Sequence, residues 1–167
     1  MAMVNVRRFF DHVLHAYWHG HRTFPEQVRR QIAEAITRAE QGHLGEICFV
    51  VECSLTPLQL LRGLSARERA LEVFAQQHVW DTAHNSGVLI YLLLADHAVE
   101  ILADRGLHPV GADFWPQAAE RFRRALATNE TTAGCVAAIH EIGEFLRRHF
   151  PEQGDNPDEL PNPVRVL

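Results

Sequence analysis

The sequence has no run of basic residues that reads as a groove-binding patch, and its formal net charge is −5 with the histidines neutral. Long-range attraction for nucleic acid is therefore not expected. It has no apolar run of membrane-spanning length; Val88 to Leu94 falls far short of the ~20 residues a spanning helix needs. The N-terminus, Met1 through His12, lacks the apolar stretch and small-residue cleavage site of a signal peptide, so the expectation is a cytoplasmic protein. Cysteine is scarce. Cys48, Cys53 and Cys135 make an odd and therefore weak disulfide framework. Cys48 and Cys53 would face opposite sides of an expected strand, which leaves buried free thiols in a reducing compartment as the reading. There is no glycine-rich phosphate loop, no serine elbow and no Cys-x-x-Cys. His140-Glu141-Ile142-Gly143-Glu144 is half of a zinc-protease helix without the second histidine, and its polar residues fall opposite the stripe of Ile139, Ile142 and Leu146.

What is present is ordinary for one globular domain: 167 residues, 47% hydrophobic and 22% charged. Val6, Phe9, Phe10, Val13, Leu14, Tyr17 and Trp18 recur at helical spacing over residues 3–18, with Arg8, His12, His15 and His19 on the opposite stripe. That stripe reads as the solvated face of a helix packed on the domain. Membrane-surface contact through residues 3–18, and a transition-metal site on the histidines, are the alternatives. Thr23-Phe24-Pro25-Glu26 has a capping-box pattern, and the helix it opens places Val28, Ile32, Ala35, Ile36 and Ala39 on one face up to Gly42. Ile47 to Val51 is apolar on both faces, as an interior strand is. Leu58 to Gly63 is a connection with a helical turn. Ser65-Ala-Arg-Glu68 is a second capping box, opening a helix that runs to about His78. Two helices follow Gly111, the first from Asp113, the second ending at Phe150. From Pro151 on, four prolines and several acids predict a loose tail. The domain plan is thus an N-terminal helix over 1–20, a domain over 21–150, and a tail over 151–167.

The chain is organised around Trp80 to Gly106. Val88–Leu94 reads as a buried strand that turns at Ala95-Asp96-His97 into a second strand, 98–104. The strand–helix–strand unit from Leu44 predicts a parallel pair with a right-handed crossover, to which the hairpin adds an antiparallel strand. The expected fold class is α/β, a three-layer α/β/α sandwich with a small mixed sheet flanked by helices. This topology places Glu46, Asn85 and Asp104 at one sheet edge, with Asp81 in the loop beside them. Those oxygen donors suit a hard cation, calcium or magnesium. The competing edge, at the carboxyl ends of the parallel strands where ligands usually bind, carries Glu52, Cys53, Asp96 and His97. Glu40, His43 and Glu46 have ligand-like spacing but straddle a helix end and a strand start.

At Asn85-Ser-Gly-Val-Leu-Ile-Tyr-Leu and Val99-Glu-Ile-Leu-Ala-Asp-Arg-Gly the chain resembles the TPM-domain family, also called TPM phosphatase domains. The resemblance extends through Gly45-Glu-Ile and the capped helix that ends in Phe74 and Trp80, and it covers roughly Thr23 to Phe150. It is similar to the short, soluble bacterial branch. The resemblance implies an α/β/α sandwich, a divalent-cation site, usually calcium, and an acid phosphatase-type activity on phosphate esters. It also implies an interaction role beside a membrane-associated protein partner. Asn85 precedes Ser86-Gly87 where the main branch commonly has an aspartate before Asn-Gly. Ala103-Asp104-Arg105-Gly106-Leu107 stands where that branch has a glutamate-bearing glycine turn. With two family carboxylates missing or moved, any calcium or magnesium is expected to be held weakly. The edge formed by Asp81, Asn85 and a solvent-facing Asp104 would hold it. The expected function is a cation-binding adaptor or interaction module, with a metal-dependent phosphatase as the alternative for which no base can be named.

Overall fold

The computed structural model describes residues 6–18, 24–128, 131–152 and 159–167. A four-stranded mixed sheet in the order β3-β2-β1-β4 lies between two helical layers. The strands are β1 (Glu46–Glu52), β2 (Gly87–Leu93), β3 (Ala98–Ala103) and β4 (Arg165–Val166), and β1 runs parallel to both β2 and β4. β2 and β3 form the expected antiparallel hairpin, joined by a 3-10 turn at Leu94–Asp96. His97 closes that turn with φ of 50°.

Strand alternation sorts the core into two halves. Ile47, Phe49, Val51, Val88, Ile90 and Leu92 face α2 (Glu26–Ala39), α6 (Phe114–Ala127) and α7 (Thr131–His149). Cys48, Val50, Leu89, Tyr91 and Leu93 face α4 (Ala66–Gln76), with Phe9 of α1 (Val6–Trp18) packed on the same side. Both central strands are buried along their whole length, which is why they read as apolar runs and not as alternating ones. The capping box at Ser65 forms as written, and Thr56 with Gln59 forms another on α3 (Pro57–Leu61). α2 starts two residues later than its capping pattern suggests. Pro25 occupies the N-cap without a side-chain bond, and Glu26 pairs instead with Arg29 and Arg30. Thr23 lies outside the described residues. After β3 comes a 3-10 turn, Arg105–Leu107, followed by the short α5 (His108–Gly111).

Two expectations are corrected. The tail is not loose over 159–167: Leu160 and Val164 are buried, and β4 adds to the open edge of β1. Composition concealed this because two apolar residues suffice to fill each gap. The polar stripe of α1 is not a solvated face either. His12 is buried; its Nδ1 accepts from the Leu55 amide at 2.9 Å and its Nε2 lies 2.9 Å from Asp96 Oδ1. Since Nδ1 accepts, Nε2 carries the proton and donates. The side chain of His15, and all of His19, lie outside the described residues.

Candidate functional site

The register brings the expected residues to one edge. Glu46 pairs with Gly87 across β1 and β2, and the Asp104 amide donates to the Gly87 carbonyl at 2.8 Å. Glu46, Gly87 and Asp104 therefore form one row across three strands. From Thr82 to Ser86 the chain folds over that row. The Ser86 amide donates to Thr82 Oγ1 at 3.0 Å, and Ser86 Oγ donates to the Leu44 carbonyl at 2.6 Å. Asn85 takes φ of 51°, a left-handed conformation that asparagine tolerates better than most residues. Its carbonyl accepts from the Gly106 amide at 2.9 Å. A Cβ on Gly106 would sit 2.6 Å from the carbonyl oxygens of both His84 and Asn85, so only glycine allows this approach.

Asp104 is the centre of the corner. It caps the 3-10 turn through Oδ1, which accepts from the Arg105 amide at 2.7 Å. Contrary to the expectation of a solvent-facing side chain, it is only 9% exposed, and its Oδ2 is buried without a hydrogen-bond partner. A buried carboxylate oxygen left unmatched is costly, and it marks a place where a cation would be stabilised. Asn85 Oδ1 accepts from Arg105 Nε at 2.9 Å, so a guanidinium already stands beside the amide oxygen. Asp81 is exposed in the loop that leads to this corner.

Glu46 shares the edge but not the corner. β1 and Asp104 are two strand spacings apart, about 10 Å. Val79 fills the interval: a Cβ on Gly87 would meet the Val79 carbonyl oxygen at 1.9 Å. Glu46 is buried, and its Oε2 accepts from the Leu160 amide at 3.2 Å. Its partner is thus the C-terminal segment, whose Glu159 also accepts from the Ala83 amide at 3.0 Å. An open cleft of about 330 Å³ beside it is lined by Glu40, Glu46, Glu152 and Asn162. Among the described residues, no three histidine, cysteine, aspartate or glutamate side chains are grouped so as to hold a metal ion. The corner therefore offers one carboxylate, one side-chain amide and backbone carbonyls, a donor set of low charge that fits only a weakly held hard cation.

The opposite edge, which the sequence left open as a competitor, is filled by internal cations. Glu52 accepts from Arg69 Nε at 2.8 Å, from Arg69 Nη2 at 3.1 Å and from the Tyr91 hydroxyl at 2.6 Å. Burial, and then the Glu52 charge and hydrogen bond, push the Tyr91 hydroxyl far above its ordinary pKa. Asp96 accepts from Arg8 at 2.7 Å as well as from His12. Burial opposes its ionisation, but the Arg8 and His12 hydrogen bonds win and hold its carboxyl below the ordinary value. Nothing in the local spacing announced either cluster: Arg8 and Asp96 are 88 residues apart.

Other candidates recede. His43 is buried and its Nδ1 accepts from the Gly45 amide at 3.0 Å. Desolvation lowers its pKa to about 4, so it is a neutral structural group at physiological pH. His140 and Glu144 lie on the surface, where Glu144 pairs with Arg147 at 2.7 Å. The three cysteines are free and buried, and burial pushes Cys48 up to about 11 and Cys135 up to about 12. They are poor nucleophiles.

Comparison with known proteins agrees with this architecture. The chain is similar to the BA42 protein of the psychrophilic bacterium Bizionia argentinensis, whose structure was solved by NMR. The two share 28% identity and a TM-score of 0.74, over 84% of this chain and 93% of that one. No curated protein matches. The sequence matches the TPM domain over residues 21–145, from the approach to α2 to the middle of α7. The chain belongs to the TPM domain family.

Proposed function

We propose that this TPM domain is a cation-responsive interaction module that holds calcium or magnesium weakly at the Asp104 corner. The observation that carries the reading is the buried, unmatched Oδ2 of Asp104. Asn85, Asp81 and the carbonyls of the 82–86 loop are the further oxygen donors that surround it by sequence and register. A bound divalent ion supplies the positive charge that Oδ2 lacks. It would draw the 82–86 loop and the 104–107 turn together, and the Glu159 contact to Ala83 would pass that stiffening to the C-terminal segment. A partner that reads this edge would then respond to the ion.

Hydrolysis of phosphate esters is the less favoured use of the same corner. It needs a base and a free cationic group beside the metal. Here the Arg105 guanidinium is held on Asn85, and one Asp104 oxygen is committed to the turn.

The test is the melting temperature of the full chain with and without calcium or magnesium. Wild type should be stabilised, by about 1.4 kcal/mol at ten times the dissociation constant. Asp104→Asn keeps a capping oxygen for the Arg105 amide but removes the charge. It should abolish the shift while its metal-free melting temperature stays at or above that of wild type. A full calcium shift in Asp104→Asn would sink the reading.

A further inference from the structure

The sheet has two outer strands, and the chain covers only one of them. Along β1 the C-terminal segment adds β4, pairing Val50 with Arg165 and Val51 with Val166, while Leu160 and Val164 are buried. β3, at the other end of the order β3-β2-β1-β4, has no strand beyond it among the described residues. The register shows which of its backbone groups are left over. The Asp104 amide donates to the Gly87 carbonyl, so Leu102 and Glu100 stand with Asp104 in the hydrogen-bonded pairs to β2. Val99, Ile101 and Ala103 therefore turn their amides and carbonyls away from the sheet. His108 Nε2 meets the Ala103 carbonyl on that outer side, at 3.2 Å. Among the described residues, the amides of all three, and the carbonyls of Val99 and Ile101, have no partner. Val99 is 8% and Ile101 3% exposed. Backbone groups so deep are almost always paired. A cleft of about 530 Å³ runs beside Ile101, Leu102 and Ala103, with Leu71 and Phe74 of α4 on one wall and Trp115 and Pro116 of α6 on the other. It holds far more than a bridging water, whose share of liquid volume is about 30 Å³. Trp115 also keeps a buried Nε1 without a hydrogen-bond partner.

We propose that an extended, apolar peptide segment of another protein docks in this cleft as an added strand beside β3. Amides and carbonyls repeating at strand spacing match a second extended backbone, and a small apolar molecule does not offer that pattern. Walls that are apolar on both sides call for a segment apolar on both faces, as β1 and β2 are. β4 shows the same mode within this molecule: a two-residue strand with buried apolar residues at 160 and 164 closes the edge of β1. A second copy does not fit. Ile101 lies below the helices that flank it. The same helices on a second copy would collide before two β3 strands came within the ~4.8 Å of a ladder. Beside the cleft Arg67 pairs with Glu100 at 3.2 Å, its side chain 58% exposed, and so exposed a pair yields readily to an incoming chain. Docking here needs no ion at Asp104.

The experiment pans a random heptapeptide phage library on the full-length protein in a divalent chelator, which separates the cleft from the cation corner. Enriched peptides should be apolar and β-branched and should lack proline, which removes an amide from the ladder. A fluorescein-labelled synthetic copy of the most enriched peptide is then titrated by fluorescence polarisation. Methylating its amide nitrogens one at a time should weaken binding about tenfold at alternate positions and little at those between. Leu71→Asp and Ala112→Glu, both at exposed residues lining the cleft, should each weaken it by about tenfold and melt with wild type. Amide exchange followed by NMR should show Val99, Ile101 and Ala103 slowed by the peptide. If either variant melts lower, the methylation series and the exchange rates decide on wild-type protein alone. Failure to enrich any peptide that slows these three amides overturns the proposal. So does binding indifferent to every N-methyl group, which would make the cleft a pocket for apolar side chains only. A wild-type dimer in sedimentation velocity that protects the β3 amides without peptide overturns it too, and assigns the edge to a second copy.

Discussion

The two edges of the sheet carry similar numbers of oxygen donors and treat them in opposite ways. At the edge where β1 and β2 end, Glu52 and Asp96 are each matched by an arginine and by a second donor, Tyr91 or His12. At the edge where they begin, Glu46 Oε2 accepts from the Leu160 amide and Asp104 Oδ1 from the Arg105 amide, and Asp104 Oδ2 has no hydrogen-bond partner. In α/β proteins the first of these edges is the usual ligand edge. Here it is closed by internal cations, and the second edge is left with unspent charge. The residue types explain why. Arginine accounts for every cationic side chain outside histidine, since the chain has no lysine. Its planar fork can match a carboxylate along both oxygens, as Arg69 does with Glu52. A single backbone amide cannot.

The largest effect should come from breaking the closed edge. Arg69→Ala strands Glu52 beside Tyr91 in a buried site, and removing one partner of such a pair typically costs about 3–5 kcal/mol. Denaturant unfolding would read this directly. Replacing both, Glu52→Leu with Arg69→Met, should recover most of the loss, because the penalty comes from the stranded charge. If the double variant is as unstable as the single one, the cluster contributes through more than charge matching.

Asp96 should give a smaller effect with a pH signature. Its folded-state pKa is depressed from 3.8, so its stabilisation is present above about pH 4 and is lost as pH falls through the folded value. Asp96→Asn should therefore destabilise the protein at neutral pH by about 1–3 kcal/mol and lessen its further loss on acidification to about pH 3. An identical acid response in variant and wild type would show that other carboxylates set it. Because Asp96 anchors α1 through both Arg8 and His12, the same variant should raise protease cleavage within residues 6–18 before global unfolding.

How much of this was legible follows from which interactions are local. The strands, the hairpin and the Ser65 cap are written in short-range pattern, and the register that aligns Glu46 with Asp104 follows from them. The side-chain environments at that edge are not. Nothing near Glu46 in sequence shows that Val79 comes down on Gly87, or that Leu160 supplies a donor from 114 residues away. The orientation of α1 is hidden for the same reason. Its stripe is amphipathic either way round, and only Asp96 decides which face turns inward.

The smallest expected effect sharpens the open edge. Arg105 is exposed, and its Nε lies 2.9 Å from Asn85 Oδ1, so its charge stands where a divalent ion would be drawn. The guanidinium and the ion cannot both use that amide oxygen at full strength, and they repel each other across a partly solvated gap. Arg105→Ala removes the competitor and frees the oxygen while leaving the Arg105 amide, and hence the Asp104 cap, in place. Calcium affinity in the variant should rise by about three- to tenfold at low salt, and the gain should shrink as ionic strength screens the vanished charge. Isothermal titration at two salt concentrations would measure it. A fall in affinity would mean that Arg105 acts by holding Asn85 in its left-handed turn. The corner would then depend on a pre-set loop more than on spare charge.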